Sequence, residues 1–400
     1  MNKIEELIEK LCPEGVEYQE LGQVYEFKYG TGNTIPTIGG QYPVYGSNGI
    51  VGTHNEYNSE DAPLIGHIGA YAGIVNWRFG KHFVTYNGVI CKLKNNQVLH
   101  KYAFYQLLLQ DFLSMAHSGS QPFVSYGMLN KVQIPIPPLP IQQEIVSILD
   151  KFNQLQSELQ AELQARARQY EYYRNELFNF DGKEVEWKTL GEVGQFIRGN
   201  GMPKSDFTES GIGCIHYGQI YTFYGTFTDK TKSFVSPETA KKLQKVQKND
   251  LIITNTSENM EDVCKTVVWL GENEIVTGGH ATIFKHKENP IYLAYYTQTS
   301  MFFSEKIKYA RGAKVIDIKA SDLAKIKIPI PPLAEQERIV AILDKFDKLV
   351  NDISEGLPAD IKARQKQYEY YRSKLLNFKM VNSQWLIENK ENKNQQCIMN

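Results

Sequence analysis

Two loop-rich stretches of this chain collect side chains that can offer hydrogen-bond donors and acceptors in a plane. In the first they are Tyr45, Ser47, Asn48, His67, Ser120 and Gln121. In the second they are Arg198, Asn200, Lys204, His216, Tyr217, Gln219, Asn255, Thr256, Ser257, Arg311 and Lys314. An arginine fork matches the acceptors on a guanine edge, and Asn or Gln matches the donor and acceptor of adenine. Lys and Thr suit phosphate oxygens. The chemistry on offer is contact with bases or phosphates. Taken singly, each residue also fits a turn or a satisfied polar group. GSQ at 119–121 and RGAK at 311–314 carry more weight, because each stands shortly before an IPIPP.

Groups arranged for catalysis are missing. The chain has no G-x-x-x-x-G-K-[ST], no GxGxxG after a strand, no HExxH, no calcium loop and no GxSxG. Its PPL triplets are not the loop with which an amino-methyltransferase holds its target base. The histidines are scattered, and His280 with His286 reads as surface. Cysteines at 12, 91, 214, 264 and 397 make no CxxC, which argues against a zinc ribbon. Their odd count suits a reducing compartment. No run of 18 apolar residues exists, so no membrane span is expected. The opening MNKIEELIEKL is amphipathic and acidic, unlike a signal peptide. A cytoplasmic chain without metal or cofactor is the expectation.

Charge limits the binding mode. Lys plus Arg is 44 against 45 Asp plus Glu, a net charge of −1. Residues 1–137 hold 9 basic against 11 acidic side chains, and 184–333 hold 19 against 17. Neither stretch would coat a polyanion by charge alone. Phosphate contacts dominate affinity for DNA, so a partner would have to neutralise much of a duplex.

The elements that position these loops follow from a repeat. IPIPPLPIQQEIVSILDKF at 134–152 returns as IPIPPLAEQERIVAILDKF at 328–346, an offset of 194. QYEYYRNELFNF at 169–180 returns as QYEYYRSKLLNF at 367–378, now offset by 198. The second copy therefore gains four residues, which we place at EGLPAD, 355–360. Upstream, GVEYQELGQV at 15–24 matches KEVEWKTLGEV at 183–193, and the second intervening segment is 25 residues longer. Those intervening segments share almost nothing. The helical parts thus do one job twice, and the globular parts do two different jobs.

The repeated parts carry a helical stripe: Ile141, Ile145, Ile148, Phe152, Leu155, Leu159 and Leu163, continued by Tyr170, Tyr173, Leu177 and Phe180. About 40 unbroken residues would make a helix of about 60 Å. The second copy has Ile339, Ile342, Phe346, Leu349 and Ile353, then Tyr368, Tyr371, Leu375 and Phe378, with Gly356 and Pro358 set to kink or split it. A long one-striped helix needs a partner, so the two copies are expected to pair as an antiparallel coiled coil. Ile145, Ile148, Phe152, Leu155 and Leu159 would face Ile339, Ile342, Phe346, Leu349 and Ile353. A short helix at Ile4, Leu7, Ile8 and Leu11 would pack on one of them. Glu144, Arg166, Arg168 and Arg174 read as solvated. The intervening segments, with short β-like runs such as YPVYGSNGIVG and DLIITNTS cut by Gly and Asn, read as mixed sheets with helices at 99–116 and 290–308. The fold class is α+β: two globular domains alternating with two long helices.

This arrangement resembles the specificity subunit of Type I restriction–modification enzymes. The two IPIPPL helix starts, the opening motifs EYQELGQV and EWKTLGEV and the two QYEYYR segments carry the resemblance, which covers nearly all of residues 1–378. It implies target recognition domains at 1–137 and 183–331 and conserved spacer helices at 138–182 and 332–379. The polar tail at 380–400, rich in Asn, Lys, Gln and Glu, lies outside the resemblance and is expected to be disordered. Each domain would read half of an asymmetric, two-part sequence in double-stranded DNA. Two methyltransferase (modification) subunits would dock on the duplicated surfaces and bring S-adenosylmethionine. Restriction/translocase subunits would bring ATP and Mg. The chain itself would be a non-catalytic recognition subunit. Other readings stay open: a scaffold that does not bind DNA, a self-sufficient methylating enzyme, or a subunit of a related methylation system without a motor.

Overall fold

The computed structural model describes residues 3–32, 39–94, 96–116 and 121–381. The chain divides into two compact units: residues 1–157 with 363–400, and residues 158–362. The boundaries cut through helices rather than between them, because the helices Leu139–Leu177 and Leu357–Leu376 each give one part to each unit. The tail beyond 381 lies outside the described residues.

The first unit is built on a six-stranded sheet. Its order is Tyr25–Tyr29, Gly88–Leu93, Ser59–Gly66, Val75–Val84, Tyr42–Tyr45 and Ile50–His54. Val89, Cys91 and Ile65 are fully buried, because these central strands are covered by the helix His100–Leu109. The second unit repeats the first four places with Gly194–Arg198, Ala281–His286, Leu251–Thr254 and Thr266–Trp269. It then adds a separate five-stranded sheet of Phe207–Thr208, Ser233–Val235, Ile212–Ile215, Ile275–Thr277 and Gln244–Val246. Four of those five strands fall between 207 and 246, so the extra length of the second segment goes into this added layer. The helices expected at 99–116 and 290–308 are each broken in two. Asp111 accepts the Ser114 N–H to start Phe112–Met115 after His100–Leu109, and Thr299 accepts the Phe302 N–H to start Ser300–Lys306 after Pro290–Tyr296. Capping groups inside the apolar pattern end one helix and begin the next.

The IPIPP motifs have a common structural task. Gln133–Ile136 pairs antiparallel with Glu17–Glu20, and Lys327–Ile330 with Glu186–Thr189. The Tyr102 hydroxyl donates to the Pro135 carbonyl at 2.9 Å, and Tyr292 donates to Pro329 at 2.8 Å. Fully buried Gln142 accepts from Leu99 N–H and donates to Gln97 and Pro137 carbonyls. Gln336, equally buried, accepts from Asn289 N–H and donates to Pro331 and the Glu288 carboxylate. Tyr105 donates to Asp150, and Tyr295 to Asp344 at 2.7 Å. Apart from the Gln97 carbonyl in one copy and the Glu288 carboxylate in the other, every partner is in the same repeat position, so the near-identity of these segments is a matter of buried hydrogen bonds being met.

The first repeated helix runs unbroken over Leu139–Leu177. The second is split into Leu333–Asn351 and Leu357–Leu376, with Asp352 capping the turn through Ser354 and Glu355 N–H groups. Pro358 lies in the first turn of the resumed helix, where its missing N–H costs nothing. In the first unit Phe152 stacks on Tyr371 at 5.6 Å and meets Tyr368 at 6.3 Å. In the second unit Phe346 meets Tyr173 at 5.5 Å and Tyr170 at 6.1 Å. Each unit thus joins the start of one repeat's helix to the QYEYYR segment of the other repeat.

Some expected pairing positions are corrected. Ile145 and Ile339 are fully buried, and Ile148, Leu159 and Ile342 are half-buried. Leu155 is 45% exposed, Leu349 37% and Ile353 79%. Ile353 falls in the turn after Asn351, where the helical period no longer applies. Arg174 is also corrected: it lies over the Tyr170 ring at 5.0 Å and donates to Gln298. The N-terminal helix Lys3–Leu11 buries Ile4 in the first core and pairs Lys3 with Glu144.

Candidate nucleic-acid interface

The main sheets of the two units end in the same backbone platform. Gly30 N–H donates to the Gly88 carbonyl, and Gly199 N–H to Ala281, both at 2.9 Å. His67 N–H donates to Asn87 and Asn255 N–H to His280. Val124 N–H donates to His67 and Ile318 N–H to Asn255. These bonds align Tyr29 with Arg198, His67 with Asn255, and Asn87 with His280. A Cβ on Gly30 would lie 2.2 Å from the Thr85 and Val84 oxygens, and one on Gly199 would lie 2.1 Å from the Gly278 oxygen. The Y-G-T-G at 29–32 and R-G-N-G at 198–201 are the sequence trace of this crowding, which pattern reading passed over.

Several residues expected to reach bases instead hold the platform. Asn255 is 2% exposed; its amide donates to Ile318 and its oxygen accepts from Thr282. His67, 5% exposed, bonds the Val124 carbonyl through Nδ1 at 2.9 Å. His67 and Asn255 therefore clamp the same strand junction with different side chains. The Ser47 hydroxyl donates to Ile68 and Asn87 carbonyls. Gln219 accepts from His216 N–H and donates to Ser233, and Asn200 donates to the Lys242 carbonyl. In each case burial or a nearby backbone group claims the polar atoms. Tyr45 carries the Arg78 guanidinium on its ring at 4.4 Å. Ser257 accepts from Asn259 N–H, and Arg311 reaches Asp322 at 3.4 Å. Lys325 and then Arg311 hold the Asp322 carboxyl below the usual range. Asn48, Gln121 and Lys314 are exposed, and Ser120 lies outside the described residues.

In the second unit, Arg198, Lys204, His216, Tyr217 and His280 line an open groove of about 660 Å³ that has no acidic side chain on its wall. Tyr217 lies against His216 at 4.3 Å and His280 at 4.8 Å, and Thr256 bonds His280 Nδ1 at 3.1 Å. Burial, then the charges of Lys204 and His280, push the His216 pKa down. His216 Nδ1 accepts the Gly218 N–H that starts the helix Tyr217–Thr222. The groove is a slot with two cationic side chains, Arg198 and Lys204, on its wall.

In the first unit the corresponding place is aromatic. Tyr29 stacks on Tyr126 at 4.0 Å and touches His67 at 4.2 Å and Tyr86 at 5.4 Å. Tyr86 is 45% exposed and Phe123 38%; their rings meet His67 edgewise at 5.1 and 6.4 Å. None of Tyr29, Tyr86, Phe123 and Tyr126 stood out in the sequence, because the four come from three separate segments.

Among the described residues no group of three or more His, Cys, Asp or Glu is placed to hold a metal, and no helix is long and apolar enough to cross a membrane. The family model for the type I restriction modification DNA specificity domain matches twice, at residues 13–169 and 182–363. The EcoR124I/EcoR124II specificity subunit of Escherichia coli is 36% identical over 304 residues, 72% of this chain and 74% of its own. A putative type I specificity subunit of Haemophilus influenzae is 32% identical, covering 85% of this chain and 89% of its own. The fold is shared with the S subunit from M. genitalium (TM-score 0.53, 16% identity, 90% and 96% of the two chains). It is also shared with a chain solved in work on assembly and conformational transition of the type I R-M system (TM-score 0.60, 17% identity, 92% and 99%). With two family domains joined by repeated helices, the chain belongs to the DNA specificity subunits of type I restriction–modification enzymes.

Proposed function

We propose that the chain binds double-stranded DNA through the two platforms, each reading one half of an asymmetric target, and that the repeated helices fix the gap between the halves. The observation that carries this is the combination of one sheet platform used twice with unlike rims. Two identical jobs at the helices and two different jobs at the rims suit one duplex met at two places. Equivalent helix surfaces in both repeats suit two methyltransferase subunits, which would bring S-adenosylmethionine; restriction/translocase subunits would bring ATP and Mg. The chain contributes recognition and no reaction step. Its place of work is the cytoplasm, with the DNA.

A mobility-shift assay on the complex with its methyltransferase subunits tests this. Tight binding of a two-part duplex is expected, with weakening when either half is scrambled. Binding that ignores sequence would favour a scaffold. Methylation mapping then tests the helices. Four residues inserted after Gln160, which is exposed in the long helix, add about 6 Å. The gap is expected to change and the letters to stay; altered letters at an unchanged gap would refute the ruler.

A further inference from the structure

Because the two platforms align bond for bond, the structure says which positions are equivalent and how their chemistry differs. Tyr29 and Arg198 end the same strand. Tyr86–Asn87 and Gly279–His280 form the same turn, one residue before the matching glycine or alanine of the returning strand. His67 and Asn255 sit beneath both as buried clamps. What projects from the rim is aromatic in one unit and cationic in the other.

We propose that the two rims determine specificity by opposite means, from different positions of the shared platform: Arg198 pairs with a guanine edge in one half-site, while Tyr86 and Phe123 make apolar contact with thymine methyl groups in the other. This rests on the two-platform reading above and assigns its chemistry. Arg198 is exposed on a groove wall without carboxylates, so its fork is available to N7 and O6 of guanine. Lys204 on the same wall supplies a phosphate contact. In the first unit the exposed faces of Tyr86 and Phe123 stand on the Tyr29–Tyr126 stack and the His67 ring, which hold them in place. Aromatic carbon against the thymine methyl is the apolar contact the major groove provides. The charge difference between the two segments, 9 basic to 11 acidic against 19 to 17, runs the same way.

The test uses the whole complex with its methyltransferase subunits, and maps methylated motifs for wild type, R198A, R198K, K204A and Y86A. R198A is expected to relax one G·C position in one half-site by about 5- to 140-fold, the discrimination of one bidentate pair. R198K keeps charge and fold and is expected to relax the same position, because an ammonium lacks the planar fork. K204A is expected to lower binding at every sequence and to reduce its salt dependence, with letters unchanged. Y86A is expected to relax an A·T position in the other half-site only. An unchanged motif in R198K, relaxation at an A·T position by either arginine variant, or both R198K and Y86A acting on one half-site would overturn the inference. If the wild-type complex methylates no two-part motif, the two-platform reading itself fails and the chemistry is not at issue.

Discussion

Replacing Gln142 by alanine should loosen the first unit at a defined place. The side chain is fully buried and meets three backbone groups: it accepts the Leu99 N–H at 2.8 Å and donates to the Pro137 carbonyl at 2.7 Å and the Gln97 carbonyl at 3.1 Å. A buried donor left without a partner costs about 1–3 kcal/mol. The two carbonyls lose less, since each keeps a second lone pair. A total of about 3 kcal/mol follows, before any cavity contribution. The assay is hydrogen–deuterium exchange of the whole chain read by segment. Local opening in the helix His100–Leu109 and the turn before it should become about 100-fold more frequent, since 1.4 kcal/mol is tenfold. The segment 289–296 in the second unit should not change. Q336A should reverse the pattern, and the double variant should show both effects at full size, because the two glutamines share no partner. Exchange that stays as in wild type around Leu99, or that rises equally at 289–296, would refute the idea that these motif glutamines each lock their own unit.

Other variants probe the rest of the framework. F152A and F346A remove reciprocal contacts and should each destabilise by about 2–4 kcal/mol, as large-to-small changes at packed aromatics do; guanidinium unfolding followed by tryptophan fluorescence measures it. G30A and G199A drive a Cβ into backbone oxygens at 2.2 and 2.1 Å. Each should lower the melting temperature of the complex and its DNA affinity together, with serine no better than alanine. Lys306 is 3% exposed, donates to Glu261 and Val263 carbonyls, and is held below the ordinary lysine pKa by burial. Between its folded pKa and 10.5 the unfolded chain holds the extra proton, so this residue's contribution to stability should rise as pH climbs toward 10.5. The difference between wild type and K306M in urea unfolding across pH 8–10.5 should show that rise; a flat difference would count against it.

Much of the architecture was legible in the residues. The offsets of 194 and 198 locate two copies of one helical part, and the EGLPAD insertion marks the split between Asn351 and Leu357. The stripe told which residues are apolar, but not where the stripe stops being covered. Ile353 keeps its place in the period and yet stands in an exposed turn. Loop polarity was a weaker guide. Asn255 and Gln219 have the right groups for adenine, but a side chain's hydrogen-bonding capacity says nothing about whether the backbone already claims it.

Periodicity and repeat are consequences of covalent order, so the chain alone determined that there are two globular segments and two helical segments; the crowding at Gly30 and Gly199 arises only when strands distant in sequence are brought together. Which side chains share a rim is another matter. Tyr29, Tyr86, Phe123 and Tyr126 meet only because hydrogen bonds across the sheet bring distant segments together, and Phe152 finds Tyr371 across more than half the chain. Tertiary structure decided those meetings, since closing long loops is governed by the packing gained at the end and not by the sequence near either residue.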